Sequence, residues 1–284
     1  MSDVLSTEWR SSDALVLKAW HWPRPTALRG RVLLVHGLGE HARRYDAVAA
    51  ALTQAGWAVS AYDQRGHGQS PGKRGDVPVA DALVRDLSAV WDQWWIPGLN
   101  HVVLGHSLGG LVVADWISGV FAPASSPTGV VLSSPALGAQ TNAVQRLLLR
   151  TLPQWWPHLC VGNGLDARQI SHDRQVVHAY QQDKRVHDRI SAGLGAWLMS
   201  TGEAVCSRAD QWPVPTLLQY AGDDRLVDPV ASATFAQAAP KAKVLARAYA
   251  GAFHEIYNEL PQWREPAMHD LLQTMEQWSS RAAF

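Results

Sequence analysis

The 284-residue chain has few cysteines, no excess of either charge and no long apolar run, and each shortage excludes a class of protein. Its two cysteines, Cys160 and Cys206, could form one disulfide bond at most, which excludes a disulfide-rich fold. Lys and Arg total 25, as do Asp and Glu. Because a nucleic-acid partner requires a basic face, we expect no nucleic-acid binding. No stretch approaches the roughly 18 apolar residues of a membrane span.

The amino-terminal residues MSDVLSTEWR contain no apolar segment of the kind found in secretory signal peptides. Together with the low cysteine content, this predicts a cytoplasmic protein with reduced thiols, peripheral to a membrane at most. Hydrophobic residues, in contrast, make up 47% of the chain, and 14 of them are tryptophans. This content is ample for a large core, and tryptophan is also common in apolar pockets and at interfaces.

Apolar runs and helical patterns alternate along most of the chain. This order predicts an α/β fold with a mostly parallel sheet and helices on both faces. The predicted strands cover residues 14–20, 31–35, 57–62, 101–104, 129–132, 216–221 and 241–249. We expect the first of them to be an antiparallel edge strand, and we expect a final helix over residues 266–280.

Residues 137–212, called the cap segment below, interrupt this alternation, because they contain helical patterns and no convincing strand. We interpret them as a helical cap inserted between a first core part, residues 1–136, and a second core part, residues 213–284. Ligands of open parallel sheets bind beyond the carboxyl ends of the strands, so an insertion there would cover the site. A helical side lobe with a packing role only is the alternative.

The most informative motif is Gly105-His106-Ser107-Leu108-Gly109, which lies between an apolar run and a helical pattern. A strand that turns directly into a helix must bend sharply, and glycines on both sides of the turn remove the Cβ atoms that would collide. The serine at the tip then projects from the carboxyl end of the sheet. This context predicts a nucleophile elbow with Ser107 as the nucleophile. An incidental serine in a glycine-rich turn is the alternative.

A serine hydroxyl needs a base to accept its proton, and the base needs an acid to orient it. His254 follows the last predicted strand in a loop of small residues, and Asp224 follows the strand before it. The order Ser…Asp…His is the one found with this type of elbow. Asp223 and Asp228 compete with Asp224 for the acid role, although Asp228 precedes a proline and is better placed to cap a helix. His106 is expected to point away from the site.

Two backbone N–H groups are needed to stabilise an oxyanion. One is predicted at Leu108, the residue after the nucleophile, and the other at Leu38, in the glycine loop after strand 31–35. The same loop, residues 37–42, also fits the dinucleotide-binding pattern G-x-G-x-x-A, with Asp63 as the ribose-binding acid. That alternative leaves the elbow and the late Asp and His unexplained. No pattern of metal ligands occurs, so we expect no metal and no cofactor.

Six motifs in this sequence together resemble the monoacylglycerol lipase and lysophospholipase branch of the α/β-hydrolases, over about residues 30–282. They are His36-Gly37-Leu38-Gly39-Glu40-His41, Tyr45, Asp63-Gln64-Arg65-Gly66-His67-Gly68-Gln69-Ser70, Gly105-His106-Ser107-Leu108-Gly109-Gly110, Asp224-Arg225-Leu226 and Gly251-Ala252-Phe253-His254. The resemblance implies an α/β-hydrolase fold with Ser107, Asp224 and His254 as catalytic residues. It also places the oxyanion amides at Leu38 and Leu108.

The resemblance further implies an apolar acyl channel under the cap, and polar contacts to the alcohol part of the substrate from Glu40, Arg44 and Tyr180. A structural salt bridge and a hydrogen bond within the cap are the alternative roles for these three residues. The sequence departs from the family pattern at two places. Asp183-Lys184-Arg185 stands where Asp-Pro-Leu is frequent, and Tyr257 stands where another polar residue often follows the histidine.

We therefore expect a serine hydrolase that cleaves small amphiphilic esters, above all monoacylglycerols. A lysophospholipid, a phthalate-type diester or a thioester is an alternative substrate, and a non-catalytic binding module is an alternative of another class. Transient contact of the cap with a lipid surface is also expected. The apolar residues expected to contact the lipid are Leu147, Leu148, Leu152, Trp155 and Trp156. The alternative is that these residues pack on the core.

Overall fold

A computed structural model describes residues 4–139 and 151–280 of the chain. The strands in these ranges are β1 (Leu5–Arg10), β2 (Val16–His21), β3 (Gly30–Val35), β4 (Trp57–Tyr62), β5 (His101–His106), β6 (Gly129–Ser133), β7 (Cys160–Gly162), β8 (Arg189–Ser191), β9 (Thr216–Ala221) and β10 (Val244–Tyr249). The α-helices are α1 (Asp46–Gln54), α2 (Ala82–Trp94), α3 (Leu108–Ser118), α4 (Arg174–Gln182), α5 (Ala192–Ser207), α6 (Pro229–Ala238) and α7 (Pro261–Ser279). Residues 151–155 are also helical.

Eight strands form one sheet in the order β1-β2-β4-β3-β5-β6-β9-β10. All neighbouring pairs from β4 to β10 are parallel, whereas β1 and β2 are antiparallel additions at one edge. The predicted mostly parallel sheet is therefore confirmed. Since parallel strands end at the same edge, the residues after β3, β5, β9 and β10 can meet there.

The central strands are apolar on both faces because the sheet is covered on both sides. In β3, Leu33 and Val35 pack into one core cluster with α2 and α3, and Val32 and Leu34 pack into another with α1 and α7. All four side chains are fully buried. This two-sided burial explains why the strands appear in the sequence as continuous apolar runs rather than alternating patterns.

The structure corrects two expectations at the ends of the chain. The first predicted strand lies inside the sheet, because β1 pairs with it along six residues and takes the edge position. β1 escaped detection because nearly all of its side chains are exposed, so it has no apolar run. The last helix begins at Pro261 rather than Pro266. Pro261 occupies the first helical turn, where the missing N–H costs nothing, and Pro266 is tolerated inside the helix.

The described part of the cap segment contains α4, α5 and one structure that the sequence did not predict. β7 and β8 form a small antiparallel sheet of three residues each, too short to leave a periodic signal. Helix α5 of the cap segment lies against α3, the helix that follows the elbow. Leu147 and Leu148 lie outside the described residues. Both Cys160 and Cys206 are free thiols, and no helix within residues 4–139 and 151–280 is long and apolar enough to cross a membrane.

Candidate active site

Ser107 stands at the junction of β5 and α3 with φ 53° and ψ −120°, a backbone conformation that non-glycine residues rarely adopt. The glycines around it are required by close packing. A Cβ on Gly105 would lie 2.5 Å from the carbonyl oxygen of Gly109, and one on Gly109 would lie 2.2 Å from that of Val35. The strained turn exposes the serine partly while its neighbours are buried, as the elbow hypothesis predicts.

His254 and Asp224 are joined by a hydrogen bond of 2.7 Å between Nδ1 and Oδ2, and both side chains are buried. The other carboxylate oxygen of Asp224 accepts the backbone N–H groups of Leu226 and Val227, at 2.9 and 3.0 Å. With Nδ1 directed at the carboxylate, Nε2 of His254 is left to act as a base. Of the competing acids, Asp223 is exposed.

Asp228, the other competitor, accepts the N–H of Val230 and caps α6, as the sequence indicated. Asp224 is therefore the carboxylate that orients His254. Burial alone would lower the pKa of His254, but the charge of Asp224 and its hydrogen bond raise it above the ordinary value. Burial likewise opposes ionisation of Asp224, but His254 and the two backbone N–H groups keep its pKa below the ordinary value.

Ser107 and His254 line the same cavity, whose volume is about 710 Å³. Seven of the eight predicted site residues line it, and the eighth, Asp224, lies behind the histidine ring. The cap segment contributes apolar groups to this wall, which include Leu152, Leu159, Val161, Ile170, Ile190, Leu198 and Met199. The cavity therefore has an apolar part under the cap segment and a polar part beside the serine.

The predicted oxyanion residues Leu38 and Leu108 both border the serine side of the cavity. Leu108 is the first residue of α3, so its N–H has no acceptor within the helix. Leu38 lies between Gly37 and Gly39. Gly39 has φ +76°, and a Cβ on it would lie 2.3 Å from the carbonyl oxygen of His187, so only glycine fits this loop beneath the cap segment.

Glu40 and Arg44 form a buried ion cluster with Glu255, a residue that the sequence analysis missed. Nη1 of Arg44 donates to Glu40 at 2.8 Å and to Glu255 at 2.5 Å, and Nη2 donates to Glu255 at 2.8 Å. All three side chains line the cavity. Burial favours the protonated form of Glu40, but Arg44, His106 and His36 together lower its pKa to about 2. Glu40 is therefore ionised at neutral pH.

Tyr180, the third predicted contact residue, lies on α4 with its ring 4.7 Å from the Arg44 guanidinium. Burial, with the nearby charge of Glu40, raises the pKa of Tyr180 to about 12, so its hydroxyl stays protonated. The ring covers the guanidinium from the cap side in a cation–π contact. The structure thus brings Glu40, Arg44 and Tyr180 together.

The expectation that His106 points away from the site was wrong. Its ring lies 4.7 Å from that of His254 and lines the cavity, while Nδ1 lies 3.1 Å from Oγ of Ser133. Burial, reinforced by His254, lowers the pKa of His106 to about 4. At neutral pH a neutral ring therefore packs against His254. Its position next to Ser107 was the only signal in the sequence.

Neither departure from the family pattern lies on the described part of the cavity wall. Asp183 lines the cavity, where it accepts hydrogen bonds from Arg185 and pairs with His41 at 2.9 Å. Tyr257 is buried away from the cavity, and its hydroxyl donates to Gln219 in the core. Lys184 and Arg185, the two residues that depart from the pattern in this segment, are not among the described residues that line the cavity.

The dinucleotide alternative lacks its ribose-binding acid. Both carboxylate oxygens of Asp63 accept backbone N–H groups, from Ala42 and Gln69, at 2.9 Å. A buried carboxylate used in this way holds two loops together and does not face a ligand. Within residues 4–139 and 151–280, no group of three or more His, Cys, Asp or Glu side chains is arranged to hold a metal ion.

Comparison with known proteins agrees with this geometry. A family model described as serine aminopeptidase, S33, matches residues 26–261. A monoacylglycerol lipase of Mycolicibacterium smegmatis is 35% identical over 85% of this chain and 86% of its own length. The crystal structure of a monoacylglycerol lipase of Paleococcus ferrophilus superimposes with a TM-score of 0.83 at 32% identity, over 92% of this chain and 99% of that one.

A further relative, an uncharacterized abhydrolase domain-containing protein of Dictyostelium discoideum, is 31% identical over 88% of this chain. This chain spans only about a quarter (27%) of that relative's length. The similarity therefore covers nearly all of this chain and one part of that larger protein.

Proposed function

Because this chain belongs to the serine aminopeptidase S33 family, and within it to the monoacylglycerol lipase-like branch of the α/β-hydrolases, we propose that it hydrolyses monoacylglycerols. It is a serine hydrolase of carboxylic esters. The observation that carries the proposal is the hydrogen bond between His254 and Asp224, next to a cavity that also contains the strained Ser107. A binding module would not need this arrangement.

In the proposed mechanism, Oγ of Ser107 attacks the ester carbonyl as Nε2 of His254 takes its proton. The N–H groups of Leu38 and Leu108 stabilise the negative oxygen of the tetrahedral intermediate. When the intermediate collapses, the C–O bond to the alcohol breaks and His254 donates the proton to the leaving oxygen. Water, deprotonated by His254, then attacks the acyl carbon. The bond from this carbon to Oγ of Ser107 breaks, His254 returns the proton to Oγ, and the fatty acid leaves.

The shape of the cavity supports a substrate with one acyl chain and a small polar alcohol. Its apolar wall, formed largely by the cap segment, suits an alkyl chain, and the ionised cluster of Glu40, Arg44 and Glu255 suits hydroxyl groups. We propose that residues 137–212 act as the cap of this site and that Glu40, Arg44 and Tyr180 contact the alcohol part. A lysophospholipid, a phthalate-type diester or a thioester would use the same triad.

Hydrolysis of monoacylglycerols and of p-nitrophenyl esters of increasing acyl length tests the function. Wild type should cleave both, and Ser107→Ala should lose at least about a thousandfold in kcat, since the nucleophile is gone. Ser207→Ala, an exposed serine at the end of α5, is the matched control and should keep wild-type rates. Equal activity in Ser107→Ala and wild type would refute the assignment of the nucleophile.

We further propose that the cap segment touches lipid surfaces and that the protein works in the cytoplasm. Trp155, Trp156, Leu159 and Val161 are each between 46% and 76% exposed, which is unusual for large apolar groups so close together. Free thiols at Cys160 and Cys206 fit a reducing compartment. Sedimentation with neutral lipid vesicles tests the contact, and equal binding by wild type and a Trp155→Ala/Trp156→Ala variant would refute it.

A further inference from the structure

The ion cluster of Glu40, Arg44 and Glu255 contains two carboxylates and one guanidinium, so it carries one excess negative charge. Glu40 and Glu255 are 3% and 6% exposed, and the guanidinium of Arg44 is nearly as buried. Neighbouring groups hold the carboxylates in place: the hydroxyl of Tyr45 donates to Glu40 at 2.6 Å, and the amide of Asn258 donates to Glu255 at 2.9 Å. At this depth, the charge is screened little by salt.

This charge lies where the alcohol part of an ester must go. The leaving oxygen takes its proton from His254, and Glu255 is the next residue in the chain. On the other side, a Cβ on Gly37 would lie 2.9 Å from Oε1 of Glu40 and 3.1 Å from the Cβ of Ser107. Both carboxylates therefore flank the reacting atoms at the polar part of the cavity.

Arg44 would ordinarily be an anion-binding residue, because its guanidinium matches phosphate and carboxylate geometry. Here Glu255 already binds it through both terminal nitrogens, Glu40 binds it through one, and the Tyr180 ring covers its face. An incoming phosphate would have to compete with a bidentate carboxylate held by the fold. It would also bring a like charge close to two others.

We propose that Glu255 is a specificity-determining residue that rejects esters with an anionic alcohol part and thereby restricts the enzyme to neutral alcohols. This inference rests on the proposed function and chooses between its substrates: it selects monoacylglycerols over lysophospholipids with a net negative head group. An unfavourable charge in the site is one of the means by which proteins reject a wrong ligand.

The remaining charged residues on the cavity wall do not reverse the sign. Asp183 is paired with Arg185 and His41, and Asp188 lies 3.3 Å from Arg189. Besides Arg44, the described lining residues include one other guanidinium, that of Arg225. Its carbon lies 5.1 Å from the centroid of the Phe253 ring. Among the described lining residues, four carboxylates therefore face two guanidinium groups, so the lining keeps an excess of negative charge.

The test measures kcat/KM for 1-oleoylglycerol and for 1-oleoyl lysophosphatidate, both diluted in micelles of a neutral detergent. The two esters share an acyl chain and differ in the phosphate. Wild type should prefer the neutral ester by roughly tenfold or more, and Glu255→Gln should reduce that preference by about tenfold. The ratio is the readout because any effect of Glu255 on its neighbour His254 changes both rates equally.

Asp92→Asn removes the same charge from an exposed position on α2 and should leave the ratio unchanged, and Glu255→Asp should keep most of the preference. Equal rates on both esters in wild type would overturn the inference. If Glu255→Gln does not fold, loss of the wild-type preference in Glu255→Asp would overturn it. An unchanged ratio in folded Glu255→Gln does so as well. Failure of every protein to cleave 1-oleoylglycerol would instead refute the proposed function.

Discussion

The strand–elbow–helix unit of residues 101–118 and the cap segment line the same cavity, but they differ in how much of each is buried. Every residue of β5 is buried, and so are nine of the eleven residues of α3. In the cap segment, α4 has no buried residue, and Trp155 and Trp156 face outward with 76% and 61% of their surface exposed. The first region is buried throughout, whereas in the cap segment α5 packs into the core and α4 lies outside it.

The outer part of the cap segment meets the core loops through polar contacts, whereas α5 packs apolar side chains into the core. The N–H of His187 donates to the carbonyl oxygen of Gly39 at 2.8 Å, and that of Ser191 donates to Gly75 at 2.7 Å. Regions with little apolar burial open at lower free energy than the core. We infer that the core sets the geometry of the chemical step, whereas the cap segment governs access and substrate fit.

The largest effect should come from the core residue Asp224. Asp224→Asn should reduce kcat by about 10³- to 10⁴-fold, because the base loses the carboxylate that orients it and stabilises its cation. The acid limb of the kcat/KM profile should also move. In wild type, His254 must be neutral, and since its pKa is raised, activity should fall as pH drops through a value above 6.5.

In Asp224→Asn the largest opposition to the burial of His254 is lost and only the charges of Glu255 and Glu40 remain, so the residual activity should persist to lower pH than in wild type. Asp223→Asn, an exposed neighbour, is the control and should keep the wild-type rate and profile. An acid limb at the same pH in wild type and Asp224→Asn would contradict the pairing of these two residues.

A matched pair of tryptophans compares the two regions by stability. Trp116 on α3 is fully buried, whereas Trp155 is 76% exposed. Trp116→Ala should lower the free energy of unfolding by about 3–5 kcal/mol, because it leaves a large cavity. Trp155→Ala should change it by no more than about 0.5 kcal/mol. Urea denaturation measures both, and a cost above about 2 kcal/mol for Trp155→Ala would mean that this ring packs on the core.

The same contrast explains what could be predicted from the sequence. The elbow was predictable because its signal is local: three apolar residues, two glycines and a helical pattern follow each other within a dozen positions. The buried central strands were predictable because burial on both faces leaves uninterrupted apolar runs. Asp224 and His254 could be found because each follows a strand whose end lies at the same edge as Ser107.

The missed features depend on contacts between distant residues. Glu255 acquires its role from Arg44, which lies 211 positions earlier in the chain, and nothing near Glu255 indicates this partner. His106 is turned toward His254 by its hydrogen bond to Ser133, another residue distant in sequence. The β7–β8 pair and the exposed strand β1 lack an apolar pattern, so periodicity could not detect them.

Glu259 joins the cap segment to the core loop that carries His254, and it allows a finer test. This fully buried carboxylate accepts the N–H of Phe253, the residue before His254, at 2.8 Å. It also pairs with Nδ1 of His172 at 2.7 Å and accepts the N–H of the same residue at 3.2 Å. His172 belongs to the cap segment and stacks on Phe253 with ring centroids 3.6 Å apart. One side chain thus fastens the cap segment to the histidine loop.

Glu259→Gln keeps the shape of the side chain but weakens these charge-assisted hydrogen bonds, so we expect a loss of about 1–3 kcal/mol in stability. The loss should be local as well as global: amide exchange in residues 171–182 should accelerate more than in β5. Glu203 is an exposed carboxylate on α5 of the same cap segment. Glu203→Gln should change neither the stability nor the amide exchange. Uniform acceleration across α4 and β5 would mean that Glu259 stabilises the whole fold equally, and that the cap segment is held as firmly as the core.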